Sequence, residues 1–231
     1  MSKILFVMTG VDHWTLADGT KHPTGFWAEE AVAPYEAFKA AGHEIVVATP
    51  GSVVPTVDRG SLAPEFNGGQ EGADKVAATL ASITELQHPI TLADVNLDDY
   101  AAVFYPGGHG PMEDLAVNPV SGRILIDSLA SGKPLAVVCH APAALLAAER
   151  PDGSNAFAGY KVAAFTNAEE TQAGFADKAK WLLEDRLAEA GVEVQVGEPW
   201  VPHVVVDRNL VTGQNPASSA PLAIEVLKKL A

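Results

Sequence analysis

Short apolar runs bounded by turn-forming residues recur along the chain at Ile4–Thr9, Glu44–Thr49, Ala101–Tyr105, Leu135–Val138 and Lys161–Phe165. Their apolar residues are continuous rather than alternating, the pattern of strands covered on both faces by helices. Between them, apolar positions return at helical spacing. Phe26–Ala41 carries one apolar stripe and stops at Gly42; Val120–Ala130, Pro142–Ala148, Lys178–Ala190 (closed by Gly191) and Ala217–Leu230 follow the same pattern. Val192–Val196, His203–Val206 and Leu210–Thr212 add further strands, the last two joined by a turn at Asp207-Arg208-Asn209. The alternation predicts an α/β fold: a doubly wound, mostly parallel sheet with helices on both faces and sites outside the carboxyl ends of its strands. Two stretches depart from it. Pro50–Gly72 is rich in Gly, Pro and Ser, and Ala168–Asp177 begins with paired acids; both are expected to be loops or short helices over the site. The chain is thus expected to form one domain, 1–231, with insertions near 50–72 and 168–177.

Composition narrows the partners. The 231 residues are 48% hydrophobic and 19% charged, ordinary for a folded protein, with a net charge of −14. That charge disfavours nucleic acid and anionic membranes, which need a basic face. A single cysteine excludes an intrachain disulfide. The apolar run at the N-terminus is far shorter than a membrane span and lacks a secretory cleavage pattern, so the cytoplasm is the expected compartment.

The candidate chemistry centres on Leu135-Ala136-Val137-Val138-Cys139-His140-Ala141-Pro142-Ala143-Ala144-Leu145-Leu146. A buried strand ends at Val138, and Pro142 falls in the first turn of the next helix, where its missing N–H costs nothing. Cys139 therefore sits on a sharp strand-to-helix turn, as in nucleophile elbows built around serine. The helix N-terminus is expected to stabilise a thiolate. A lone cysteine is otherwise most simply a small buried hydrophobe. A second turn, Pro106-Gly107-Gly108-His109-Gly110, follows the strand Ala101–Tyr105. Its glycines let backbone N–H groups approach a ligand, and the N–H groups of Gly108 and His140 together suit the oxygen of a tetrahedral intermediate.

These two segments and the tail Leu210-Val211-Thr212-Gly213-Gln214-Asn215-Pro216-Ala217-Ser218 resemble the ThiJ/PfpI superfamily, related to class I glutamine amidotransferase domains. Thr24-Gly25-Phe26-Trp27-Ala28-Glu29-Glu30 with Pro34, and Phe165-Thr166-Asn167-Ala168-Glu169-Glu170, are most similar to its glyoxalase III and heat-shock chaperone branch. The resemblance implies a flavodoxin-like sheet with the elbow after a central strand, a homodimer, and cofactor-free conversion of methylglyoxal or a similar 2-oxoaldehyde to a 2-hydroxy acid such as D-lactate. It implies Cys139 as nucleophile, His140 as its partner, Glu30 as an acid against the cysteine and Glu170 as the acid orienting His140. Glu29 and Glu30 point about 100° apart on a helix, so only one faces the site. Between Glu169 and Glu170 the residues themselves do not discriminate. An ionised Glu30 would repel a thiolate and a protonated one would donate to it, so Glu30 is expected to be held neutral by burial.

Other functions remain in view. Deglycation of protein or nucleotide adducts would use the same cysteine; a cysteine peptidase, a holdase chaperone and a redox-sensing thiol are further alternatives. A glutaminase would need a His-x-Glu pair, and His203 is followed by Val204-Val205. Asp12, His13, His22 and His109 match no metal-ligand spacing and read as surface or loop residues, although His109 is placed to line a pocket. No dinucleotide or phosphate-loop fingerprint is present. Trp14, Phe26 and Trp27 suit either the mouth of the site or the core, and Asn215-Pro216 reads as a helix cap.

Overall fold

In the computed structural model, which describes residues 2–231, strand β1 (Lys3–Val7) leads to a hairpin of β2 (His13–Thr15) and β3 (Lys21–Pro23), then to helix α1 (Ala28–Ala40). Strand β4 (Glu44–Thr49), helix α2 (Gln70–Ser82), β5 (Ile90–Thr91), β6 (Ala102–Tyr105), α3 (Gly110–Glu113), α4 (Pro119–Ser131) and β7 (Leu135–Val138) follow. Then come β8 (Lys161–Val162), α5 (Asn167–Gln172), α6 (Leu183–Glu189), β9 (Glu193–Val194), β10 (Val204–Asp207), β11 (Leu210–Gly213) and α7 (Ser219–Leu230).

Seven strands form one sheet in the order β10-β11-β7-β6-β1-β4-β5. Every neighbouring pair is parallel except β10 with β11. The connection from β1 to β4 runs one way across the sheet and that from β6 to β7 the other. Right-handed crossovers in opposite directions put their helices on opposite faces, which gives the doubly wound α/β architecture that the alternation predicts. The apolar runs are continuous for the expected reason: Ile4, Leu5, Val103, Phe104 and all of β7 are buried. Phe6, Phe38 and Phe104 join β1, α1 and β6 through ring contacts at 4.9–6.0 Å. The winding reverses between β1 and β6, so a crevice opens at the carboxyl ends of the central strands.

Three expected elements need correction. The run Lys161–Phe165 is a strand only over Lys161–Val162, and it pairs with β9 in a separate two-stranded sheet rather than joining the main one. Ala163 N–H donates instead to Thr212 Oγ1 and Phe165 N–H to the Cys139 carbonyl, so side chain and elbow capture the ladder donors. Pro142–Ala148 is a 3₁₀ segment over Ala141–Ala147, whose tighter winding fits the close approach of Gly122 in α4 to the Ala147 carbonyl. The helix expected over Lys178–Ala190 begins only at Leu183, because the Lys178 carbonyl accepts from Ala17 N–H across the molecule.

The β2–β3 hairpin, α2, β5 and α3 were not among the expected elements. Pro50–Gly72 holds 3₁₀ turns at Pro50–Ser52, Arg59–Leu62 and Pro64–Phe66, and Ala168–Asp177 contains most of α5. Among the described residues, no helix is long and apolar enough to cross a membrane.

Candidate active site

Cys139 follows the last residue of β7 with φ at +61°. That left-handed conformation costs a non-glycine residue about 1–2 kcal/mol, and the surroundings enforce it. Cys139 N–H donates to the Gly213 carbonyl at 2.9 Å on β11, and the Cys139 carbonyl accepts from Phe165 N–H at 2.9 Å. The side chain thus leaves the sheet at its carboxyl end, facing the crevice. Its sulfur lies 3.2 Å from His140 Nδ1.

The glycine turn after β6 supplies the opposite wall. Gly107 N–H donates to Glu30 Oε2 at 2.7 Å, and Gly108 N–H points at the Cys139 sulfur. A Cβ on Gly107 would strike Glu30 Oε2 and the Val138 carbonyl, and Gly108 takes φ +91° against the Gly25 carbonyl. Only glycine fits either position. The N–H of His140 has no partner among the described residues, so it and Gly108 N–H form a pair of donors beside the sulfur.

Glu30, in the first turn of α1, is fully buried, and its Oε1 has no hydrogen-bond partner. Burial pushes its carboxyl up to about 8, opposed by the neighbouring Cys139 thiol and the Gly107 N–H. Glu29 is only half-buried and lines the wider cavity instead. Burial, then the Glu30 charge, push the Cys139 thiol well above its ordinary range, and Gly108 N–H opposes them. The expectation of a thiolate held by a helix N-terminus therefore needs revision. The segment after Cys139 is a 3₁₀ turn, and the sulfur is buried beside an acid at the floor of the crevice. Carboxyl and thiol titrate as a pair: with Glu30 protonated the repulsion vanishes, and its O–H becomes a donor to the sulfur.

The adjacent acids of α5 separate cleanly. Glu170 Oε2 accepts from His140 Nε2 at 2.7 Å, while its Oε1 meets His109 Nε2 at 3.0 Å. Burial alone would push the Glu170 carboxyl up, but the two imidazoles outweigh it and hold it well below the usual carboxylate range. Glu169 points elsewhere. It closes a capping box with Thr166 and accepts from Trp200 N–H and Asn215 Nδ2 at 2.9 Å. Asn215 thereby joins a buried anchor under the site rather than capping through its own side chain.

The sequence placed His109 only as a pocket-lining residue; the structure brings it into the centre. Its ring stacks on Trp14 at 4.4 Å with 10° between planes, and its centroid is 4.1 Å from that of His140. The available signal was its position directly after Gly108, which puts its side chain beside whatever the glycine N–H binds. Asp12, His13 and His22 do not join it in a ligand cluster: His13 bonds Asp12 at the surface, and His22 packs on Phe175. Ligand atoms of His109, His140 and Glu170 lie within 4.8 Å of one another, a spacing a metal ion would accept. In the present arrangement those atoms satisfy one another through hydrogen bonds.

A cavity of about 990 Å³ covers the sulfur. The two departures from the alternation roof it, with Asp58, Arg59 and Phe66 from one and Gln172, Ala173 and Phe175 from the other. Trp27 and Trp200 complete an aromatic wall, whereas Phe26 belongs to the core.

The chain belongs to the DJ-1/PfpI family, whose sequence profile matches residues 23–229. It is 31% identical to the Saccharomyces cerevisiae protein named glutathione-independent glyoxalase HSP31, over 99% of this chain and 98% of that one. It is 28% identical to the Pseudomonas aeruginosa protein/nucleic acid deglycase HchA, over 99% of this chain and 80% of the relative. Among solved structures it resembles glyoxalase III from Candida albicans, with a TM-score of 0.85 at 28% identity, covering 99% of this chain and 97% of the other.

Proposed function

We propose that this chain is a glutathione-independent, glyoxalase III-type lyase that converts methylglyoxal or a similar 2-oxoaldehyde to a 2-hydroxy acid, D-lactate for methylglyoxal. The observation that carries this is the Cys139 sulfur on its positive-φ elbow, 3.2 Å from His140 Nδ1 and flanked by Glu30 and Gly108 N–H. The names of the two glyoxalase relatives support it.

The chemistry balances without a cofactor. The Cys139 sulfur adds to the aldehyde carbon C1 while its proton passes to His140 or Glu30, and the new alkoxide accepts from the N–H groups of Gly108 and His140. The C1 proton then moves to C2 through an enediol, so C1 is oxidised to a thioester as the C2 ketone is reduced to an alcohol. Water, activated by His140 with Glu170 behind it, cleaves the C1–S bond and restores the thiol. One water is consumed. All 231 residues acting as one domain, and the homodimer implied by the resemblance, belong to the same proposal; light scattering tests the latter.

A second reading, deglycation of protein or nucleotide adducts, is favoured by the cavity, whose roughly 990 Å³ far exceeds what a three-carbon aldehyde fills. The deglycase name of another relative points the same way. The decisive experiment follows methylglyoxal consumption and lactate formation without glutathione, comparing wild type with Cys139→Ala. Equal loss of substrate in both overturns the lyase reading; suppression of protein aggregation that survives Cys139→Ala would favour a holdase.

A further inference from the structure

The proposed reaction needs a base that takes a proton from C1 and returns it to C2, and we infer that His109 is that base, acting through Nδ1. The inference rests on the lyase reading and assigns one of its steps. His109 Nε2 is committed to Glu170 Oε1 at 3.0 Å. Glu170 is ionised and accepts, so the neutral ring carries its proton on Nε2 and leaves the Nδ1 lone pair free. That atom bonds no described residue and is not among the unpartnered side-chain atoms sealed from solvent, so it opens onto the cavity that His109 lines. The arrangement has the parts of a base and its orienter: a carboxylate behind the far nitrogen, which stabilises the imidazolium once formed.

Orientation is fixed by ring contacts, with Trp14 at 4.4 Å and His140 at 4.1 Å. The other groups that bear on it are few. Burial and the charge of His140 favour the neutral ring, while Glu170 and Asp58 favour the cation; His22 stands nearby as a further imidazole. The neutral form is the one a base requires. His140 is placed less well for this step: its Nε2 faces Glu170 and its Nδ1 faces the sulfur, which suits it to the thiol proton and the later hydrolysis at C1 rather than to a transfer that reaches C2. His109 begins one residue beyond the Gly108 N–H that faces the sulfur, so its ring stands beside any hemithioacetal held there.

In the proposed step Nδ1 takes the C1 proton of the hemithioacetal, the electron pair forms the enediol, and the same nitrogen delivers the proton to C2. No redox partner is needed, since C1 loses what C2 gains. One base acting from one side also accounts for a single product enantiomer.

The test measures turnover of methylglyoxal by wild type, His109→Gln and His109→Ala, together with the rate at which iodoacetamide alkylates Cys139. His109→Gln is expected to lower kcat by about 10²–10⁴-fold, the usual worth of a positioned base, with alkylation within about twofold of wild type. His109→Ala leaves a ring-sized slot against Trp14, and added imidazole is expected to restore turnover in proportion to its unprotonated fraction. A kcat for His109→Gln within about threefold of wild type overturns the inference. So does a loss matched by an equal loss of alkylation with no imidazole rescue, which marks a positioning role. A wild type without activity on any 2-oxoaldehyde overturns the lyase reading itself.

Discussion

Glu169 and Glu170 are consecutive on α5, yet their carboxylates serve separate networks: Glu170 bridges His140 and His109 while Glu169 binds Thr166, Trp200 and Asn215. The separation predicts opposite phenotypes. Glu170→Gln removes the anion behind two imidazoles and is expected to lower kcat by about 10²–10⁴-fold, with a smaller loss of stability than Glu169→Gln because an imidazole can change tautomer and accept from the amide. Glu169→Gln sets an amide N–H against existing donors in a buried site and is expected to lower unfolding free energy by about 2–4 kcal/mol. Urea denaturation beside steady-state kinetics separates the two; equal loss of stability in both variants contradicts the division.

The coupling of Glu30 to Cys139 is measurable through the thiol. In wild type the pH dependence of alkylation should show two steps, because carboxyl and thiol share protons. The Glu30→Gln variant has one titrating group and should show one, with the limb near pH 8 missing. Activity should fall by about 10²-fold, since the amide cannot donate and take a proton. Superimposable alkylation profiles in the two proteins would remove Glu30 from the nucleophile.

The same residue sets a stability trend with pH. Its folded carboxyl is raised by burial from an ordinary 4.5 to about 8. Between those values the folded state holds a proton that the unfolded state has released, so Glu30's contribution is fully present below pH 4.5 and is lost as pH rises through 8. Glu30→Gln removes the linkage. At pH 9 the variant is expected to melt at a higher temperature than wild type, and the gap should close towards pH 4.5. A gap that does not depend on pH contradicts the buried, raised carboxyl.

The carboxyl end of the sheet was legible because local rules and tertiary structure agree there. A strand followed by Cys139-His140-Ala141-Pro142, and glycines after Tyr105, each encode a turn that only one geometry satisfies. The elements that sequence misjudged are those decided by distant partners. Ala163-Ala164-Phe165 looks like strand because it is buried, yet its N–H groups serve Thr212 and Cys139. The start of α6 is set back by Ala17, more than 150 residues away, whose N–H donates to the Lys178 carbonyl. In α2 only Ala73 is buried, so its apolar stripe is faint. The central place of His109 is not legible locally, because its partners, Trp14 and Glu170, lie far off in sequence.

The shape of the cavity predicts how substrates are ranked. Three carbons of methylglyoxal reach little beyond the sulfur, whereas the roughly 990 Å³ enclosure extends to Trp27 and Phe66. Those rings meet edge to face at 5.2 Å, and Phe66 is itself half exposed, so the wall is apolar on the cavity side without being sealed. An aromatic 2-oxoaldehyde such as phenylglyoxal would lay its ring against this wall and gain from burying it, about 25 cal/mol for each Å² of apolar surface covered. Trp27→Ala is therefore expected to reduce kcat/KM for phenylglyoxal about tenfold through KM and to leave methylglyoxal within about twofold. The bond-making groups are untouched, so kcat should hold for both. Parallel losses for the two aldehydes would mean that Trp27 supports the fold of the site, and that the wide cavity plays no part in choosing what is bound.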